Sequence, residues 1–161
     1  MPGPEPGCGG IRIRSAGAAD AGSLGALIAA GSLGPTDDGP DDPAPYVDAL
    51  AEIADRPGCD VLVAEVDGEV VGVCQLVVFR HLQHRGGRCA EIESMHVRPD
   101  LRSTGIGGRL LVAAVEAARR AGCYRVQLTS NAARADAHRF YERHGFAATH
   151  VGFKLLLAPS D

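Results

Sequence analysis

Between residues 90 and 122 the chain changes its hydrophobic period once, and three glycines mark the place. AEIESMHV (90–97) reads as a strand closed by Pro99, whereas Ile106, Leu110, Leu111, Ala114, Val115 and Ala118 recur at helical spacing as far as about Ala121. Gly122 supplies a C-terminal stop. The junction, RPDLRSTGIGGR (98–109), sets Gly105, Gly107 and Gly108 where the helix begins. Glycines at a helix start let backbone approach a ligand closely, and the helix N-terminus favours anions. The ligands that suit such a turn are a nucleotide phosphate, a dinucleotide pyrophosphate and the pyrophosphate of coenzyme A.

The remaining pattern surrounds this junction with a mixed sheet and flanking helices. IRIR (11–14) alternates apolar and basic residues as a half-buried strand does. Asp20 is placed to cap a helix that runs through about Ala30, with Leu24, Leu27 and Ile28 on one face. GSLGPTDDGPDDPAP (31–45) is a loop by composition, and a second helix spans roughly Pro45–Asp55. VLVAEV-DG-EVVGVCQLVVF (61–79) predicts a hairpin, since Asp67-Gly68 is the pair a type I′ turn prefers. After a polar connection (80–88) and the glycine junction come a strand over YRVQLTS (124–130), a helix over ADAHRFYERHG (135–145), and one or two final strands in FAATHVGFKLLL (146–157). The order is β-α-α-β-β-β-α-β-α-β, in one domain over 11–158 after a disordered lead-in at 1–10.

A length of 161 residues suits one compact domain, and the net charge of −4 argues against nucleic acid as a partner. The arginines are dispersed, and Lys154 is the single lysine. Five cysteines, Cys8, Cys59, Cys74, Cys89 and Cys123, form no C-x-x-C pair, so free thiols in a reducing cytoplasm are expected rather than disulfides or a zinc site. No apolar run reaches the ~20 residues of a membrane helix, and MPGPEPGCGG lacks the marks of a signal peptide. The expectation is a cytoplasmic protein with no membrane contact.

Two readings of the glycine turn fail. A P-loop requires Lys-[Ser/Thr] after its last glycine, and a dinucleotide fingerprint requires G-x-G-x-x-G after the first strand with an acidic residue ~20 positions on. A third pattern fits: V-x-P-x-x-R-x-x-G-x-G, here Val97, Pro99, Arg102, Gly105 and Gly107, resembles the acyl-coenzyme-A signature of the GNAT N-acetyltransferase superfamily. Ser103 departs from it, standing where the family usually has glycine. NAARADAHRFYERHGF (131–146) resembles the second landmark, an Asn at the end of the fifth strand followed by a helix with F-Y-x-x-x-G-F. The resemblance covers about 11–157, and its finer features are similar to aminoalkylphosphonate N-acetyltransferases.

What the resemblance implies is a GNAT fold: a mixed, mostly antiparallel sheet of six or seven strands with four flanking helices, strands four and five splayed around acyl-CoA. It implies a bacterial acetyl-CoA-dependent N-acetyltransferase with no metal requirement, a small primary amine as acceptor, and compatibility with a homodimer. Backbone of Met95, His96 and Val97 would pair with the pantetheine arm, and Arg102, Ser103, Thr104, Gly105, Ile106, Gly107, Gly108 and Arg109 would form the pyrophosphate loop. Asn131 and His138 are placed near the cofactor. Tyr141 is the candidate acid for the leaving thiolate, because a phenol of pKa ≈ 10 is protonated at neutral pH. Glu93 or Glu91, two residues apart on one strand face, is the candidate base, Glu93 being preferred. His81 and His84 fit an acceptor site, a metal or a solvated loop, and two histidines without a third ligand make the metal weak. The alternatives are a non-enzymatic acyl-CoA sensor and a protein N-terminal or lysine acetyltransferase.

Overall fold

The computed structural model describes residues 10–157, so the expected lead-in, Cys8 included, lies outside the described residues except for Gly10. The chain divides after Leu128 into two compact units.

The first unit is built on a five-stranded sheet. Its elements are β1 (Arg12–Ser15), α1 (Ala21–Gly31), α2 (Ala44–Ala54), β2 (Asp60–Val66), β3 (Glu69–Arg80), α3 (Gln83–Gly86), β4 (Arg88–Val97), α4 (Ile106–Arg120) and β5 (Cys123–Leu128). The strands lie in chain order, antiparallel from β1 to β4 and parallel between β4 and β5. Asp67 and Gly68 both hold positive φ (51° and 83°), the backbone a type I′ turn requires, so the β2–β3 hairpin forms as its sequence predicts. On one face of the sheet Leu24 and Leu27 of α1 pack on Val61, Val63 and Val73. On the other lies α4, close enough that a side chain at Gly72 would meet Leu110 and Ile106.

Asp20 precedes α1, yet its carboxylate does not cap that helix. It accepts the Gly17 amide at 2.7 Å and both terminal nitrogens of Arg14, at 2.7 and 2.9 Å. Arg14 also donates through Nε to Glu65. Asp20 therefore ties β1 to the start of α1 instead of closing the helix end. The connection expected over 80–88 contains α3, a single turn in which His84 and Arg85 have left-handed backbone.

The second unit holds α5 (Ala135–Arg143). It ends in a Schellman motif: Gly145 at φ 86° donates to the Glu142 carbonyl, and Phe146 donates to that of Tyr141. The final strands expected in 146–157 do not form among the described residues, so the sheet has five strands rather than six or seven. A strand exists through its ladder partner, and an apolar run supplies only the face; Val151, Phe153 and Leu155 to Leu157 stay exposed.

Candidate active site

The site begins with a difference in strand length. Pairing of β4 with β5 runs from Arg88↔Cys123 to Ile92↔Leu128 and stops, while β4 continues through Glu93 to Val97. The last five residues of β4 are laddered to β3 alone, so among the described residues the backbone edge beyond Ile92 has no strand beside it. Met95, His96 and Val97, the residues expected to meet the pantetheine arm, lie on this segment.

A bulge changes which side chains line it. Gln75 of β3 stands opposite Glu93 and Val73 opposite His96, so Cys74 alone answers both Ser94 and Met95. Ser94 holds φ 48°, and the extra residue puts Glu93 and His96 on the same face, that of Val73 and α1. Simple alternation would have paired Glu93 with Met95. His96 is thus a side chain that the sequence pattern could not place. Its imidazole lies at the end of α1, where a Cβ on Gly31 would fall 2.0 Å from Nδ1.

Glu91 shares this face and accepts Gln127 Nε2 of β5 at 3.2 Å, within the paired part of the sheet. Glu93 is exposed on the unpaired part. Nearby on the first unit, Asp38 of the loop between α1 and α2 accepts hydrogen bonds from Thr36 Oγ1 (2.6 Å) and the Tyr46 hydroxyl (2.8 Å). Those two donors, with a smaller contribution from the His96 charge, hold its carboxyl below the usual range.

Beyond β4, Pro99–Leu101 form a 3₁₀ turn, and Gly105 at φ 90° leads into α4. Ser103 also lies in the left-handed region, at φ 64°, which explains why glycine is the residue the signature usually carries there. The first-turn amides of Ile106, Gly107 and Gly108 have no side-chain cap, and the turn contains no acidic residue. Thr104 Oγ1 donates to the Leu101 carbonyl at 2.6 Å, fixing the turn. Arg102 donates to the Val97 carbonyl and stays exposed, whereas Arg109 reaches the Ile11 carbonyl at 3.1 Å.

The second unit carries the other cofactor candidates and the candidate acid. Asn131 Oδ1 accepts the Ala133 amide and its carbonyl receives His138 Nε2 at 3.0 Å, so both residues build the entry to α5. Tyr141 packs edge-on against Phe140 and Phe146. In the first unit, His81 and His84 meet on Tyr124: its hydroxyl and His81 Nδ1 are 3.0 Å apart, and the His84 ring centroid lies 3.9 Å from the Tyr124 ring. Among the described residues no group of three His, Cys, Asp or Glu is arranged to hold a metal, and Cys59, Cys74, Cys89 and Cys123 are free thiols. No helix among them is long and apolar enough to cross a membrane.

This strand–turn–helix with its open strand edge defines a class. Residues 30–146 match the Acetyltransferase (GNAT) family, and the chain belongs to that family. Among its relatives, the aminoalkylphosphonate N-acetyltransferase of Salmonella typhimurium is 42% identical over 87 residues, 54% of this chain and 56% of that protein, so the match spans little more than half the relative's length. The aminoglycoside N(6′)-acetyltransferase type 1 of Stenotrophomonas maltophilia is 33% identical over 75% of this chain and 82% of its own. The crystal structure of a transcriptional regulator from Bacillus halodurans C-125 superposes with a TM-score of 0.86 and 33% identity, covering 92% of this chain and all of that one.

Proposed function

We propose that the chain is an acetyl-CoA-dependent N-acetyltransferase, with a single catalytic domain over 11–158, that acetylates a primary amine on a small molecule. The observation that carries the reading is the uncapped, acid-free start of α4 behind Gly105, adjoining five residues of β4 that β5 leaves unpaired. Helix-start amides suit a pyrophosphate, and an unpaired strand edge suits the amide groups of a pantetheine arm. Gly105 fits this use: its surroundings are open to 4 Å, and φ 90° is a backbone that L side chains rarely adopt. Residues 95–97 and 102–109 would then hold acetyl-CoA, and Asn131 and His138 are the further cofactor candidates. A carboxylate of β4, Glu93 or Glu91, receives the ammonium and acts as base through water, and Tyr141 protonates the departing thiolate. The two named relatives act on aminoalkylphosphonates and aminoglycosides, which supports a small amine as acceptor.

The test is calorimetric titration with acetyl-CoA followed by thiol release across a panel of aminoalkylphosphonates, aminoglycosides and N-terminal or lysine peptides. Saturable binding with turnover of a small amine is expected. Binding without turnover of any amine would leave an acyl-CoA sensor. In a folded Gly105→Val protein, acetyl-CoA binding should be lost; unchanged affinity would remove the turn from the site.

A further inference from the structure

We propose that the His96 imidazole, carried onto the Glu93 face of β4 by the bulge at Ser94 and steadied by Asp38, receives the proton that the acceptor ammonium loses before attack. The inference rests on the acetyltransferase reading and reassigns one step within it. Three features of the first unit support it. The bulge aims His96 and Glu93 to one side of the unpaired β4 segment. The ring occupies space that exists because residue 31 is glycine: a Cβ there would lie 2.0 Å from Nδ1 and 2.5 Å from Cε1. Asp38 lies close enough for the two charges to interact, and its position is fixed by Thr36, Tyr46 and, through the Tyr46 hydroxyl, the Gly39 amide.

The chemistry favours imidazole over carboxylate. A base works best when its pKa lies near the operating pH, and imidazole near 6.5 is better matched to neutral solution than a carboxylate near 4.3. α1, of sequence AGSLGALIAAG, brings no titratable group, and β3 places Val73 opposite His96. Asp38 from the loop supplies negative charge, Glu91 and Glu93 of β4 lie on the same face, and Tyr46 of α2 is hydrogen-bonded to Asp38. The Asp38 carboxylate favours the imidazolium once it forms.

The step balances. R–NH₃⁺ gives one proton to the neutral imidazole. The freed lone pair forms a C–N bond with the thioester carbonyl carbon, and the C–S bond then breaks with its electron pair on sulfur. The second nitrogen proton, or one relayed through Tyr141, ends on that sulfur, and the imidazolium releases its proton to water. Glu93 retains the part of drawing the ammonium to the strand edge.

The experiment measures kcat/KM for an accepted amine against pH, with acetyl-CoA affinity measured separately, in wild type, His96→Gln, Asp38→Asn and Gly31→Ala. His96→Gln should retain acetyl-CoA affinity within about twofold, lose about a hundredfold in kcat/KM at neutral pH, and lose the acid limb near the imidazole range. Asp38→Asn should keep that limb but move it to lower pH, because an anion that favoured the imidazolium is gone. Gly31→Ala, which displaces the ring while keeping its chemistry, should reproduce the rate loss if the protein remains folded. An NMR titration of the His96 ring checks the pairing without turnover: its pKa should fall in Asp38→Asn. An active wild type with His96→Gln within threefold and an unmoved limb would overturn the His96 role alone. A His96 titration unmoved by Asp38→Asn would overturn the pairing. A wild type that binds acetyl-CoA and acetylates nothing would overturn the underlying function together with it.

Discussion

Ser103 bears a left-handed backbone (φ 64°) that glycine would adopt without strain. An L side chain in that region costs about 1–2 kcal/mol, part of which glycine returns as unfolded-state entropy. Ser103→Gly should therefore raise stability by about 0.5–1 kcal/mol in denaturant titration and leave acetyl-CoA affinity within twofold. A loss of stability would mean that the serine makes a compensating contact. Tyr141 poses a different question, because the Schellman closure of α5 already explains why an aromatic residue stands there: Phe146 bonds to its carbonyl and packs on its ring. Tyr141→Phe preserves that packing and removes only the hydroxyl. Turnover should fall by about 10²–10⁴-fold with stability and acetyl-CoA binding retained; a drop below about threefold would make the tyrosine a packing residue. The sequence showed Tyr141, Glu93 and the glycines as candidates through local patterns. It could not show His96 beside Gly31 or near Asp38, since one bulge and one loop conformation decide those contacts.

At the scale of elements, legibility followed locality. The Asp67-Gly68 turn, the reach of α4 and the two strand runs of the hairpin depend on residues within a few positions of one another, and each formed where its pattern stood. The segment 146–157 shows the limit. Its apolar residues suggested strands, but a ladder partner is a non-local fact, and among the described residues the sheet ends at β5. Asp20 is a milder case, an acid before a helix whose carboxylate turned to Arg14 and Gly17 instead of the helix amides. The end of α5 offers a direct check on such local rules. Gly145 holds φ 86°, and a Cβ added there would find nothing within 4 Å, so Gly145→Ala would meet backbone strain and no clash. The expected cost is about 1 kcal/mol by thermal melting; a neutral result would mean that the Schellman turn contributes nothing to the stability of α5.

For the whole molecule, the Arg14 network couples acid stability to the placement of β1. Arg14 first, and the Gly17 amide in addition, lower the Asp20 pKa below its usual value, against the opposing effect of burial. The unfolded state therefore binds protons more readily than the folded one near pH 4. The stability this group adds is present above its unfolded pKa of about 3.9 and is lost as pH falls through the lower folded value. Asp38, lowered by Thr36 and Tyr46, adds in the same direction. Asp20→Asn should lower stability at pH 7 by about 3 kcal/mol, because a half-buried guanidinium loses its bidentate partner, and should flatten the acid loss seen in wild type. An unchanged acid slope would place that loss in other carboxylates. The sheet order also has a kinetic meaning. β2, β3 and β4 follow one another as antiparallel neighbours, β2 and β3 joined by a tight turn, whereas β1 meets β2 only across α1 and α2 and β5 meets β4 only after α4 has crossed over. Sequence-local pairings close early and at small entropic cost, and a parallel pairing across a helix closes late. The amides of β1 and β5, each laddered to one neighbour among the described residues, should accordingly exchange with deuterium ahead of those in β3, so that the sheet loosens from its two edges inward and holds longest at its centre.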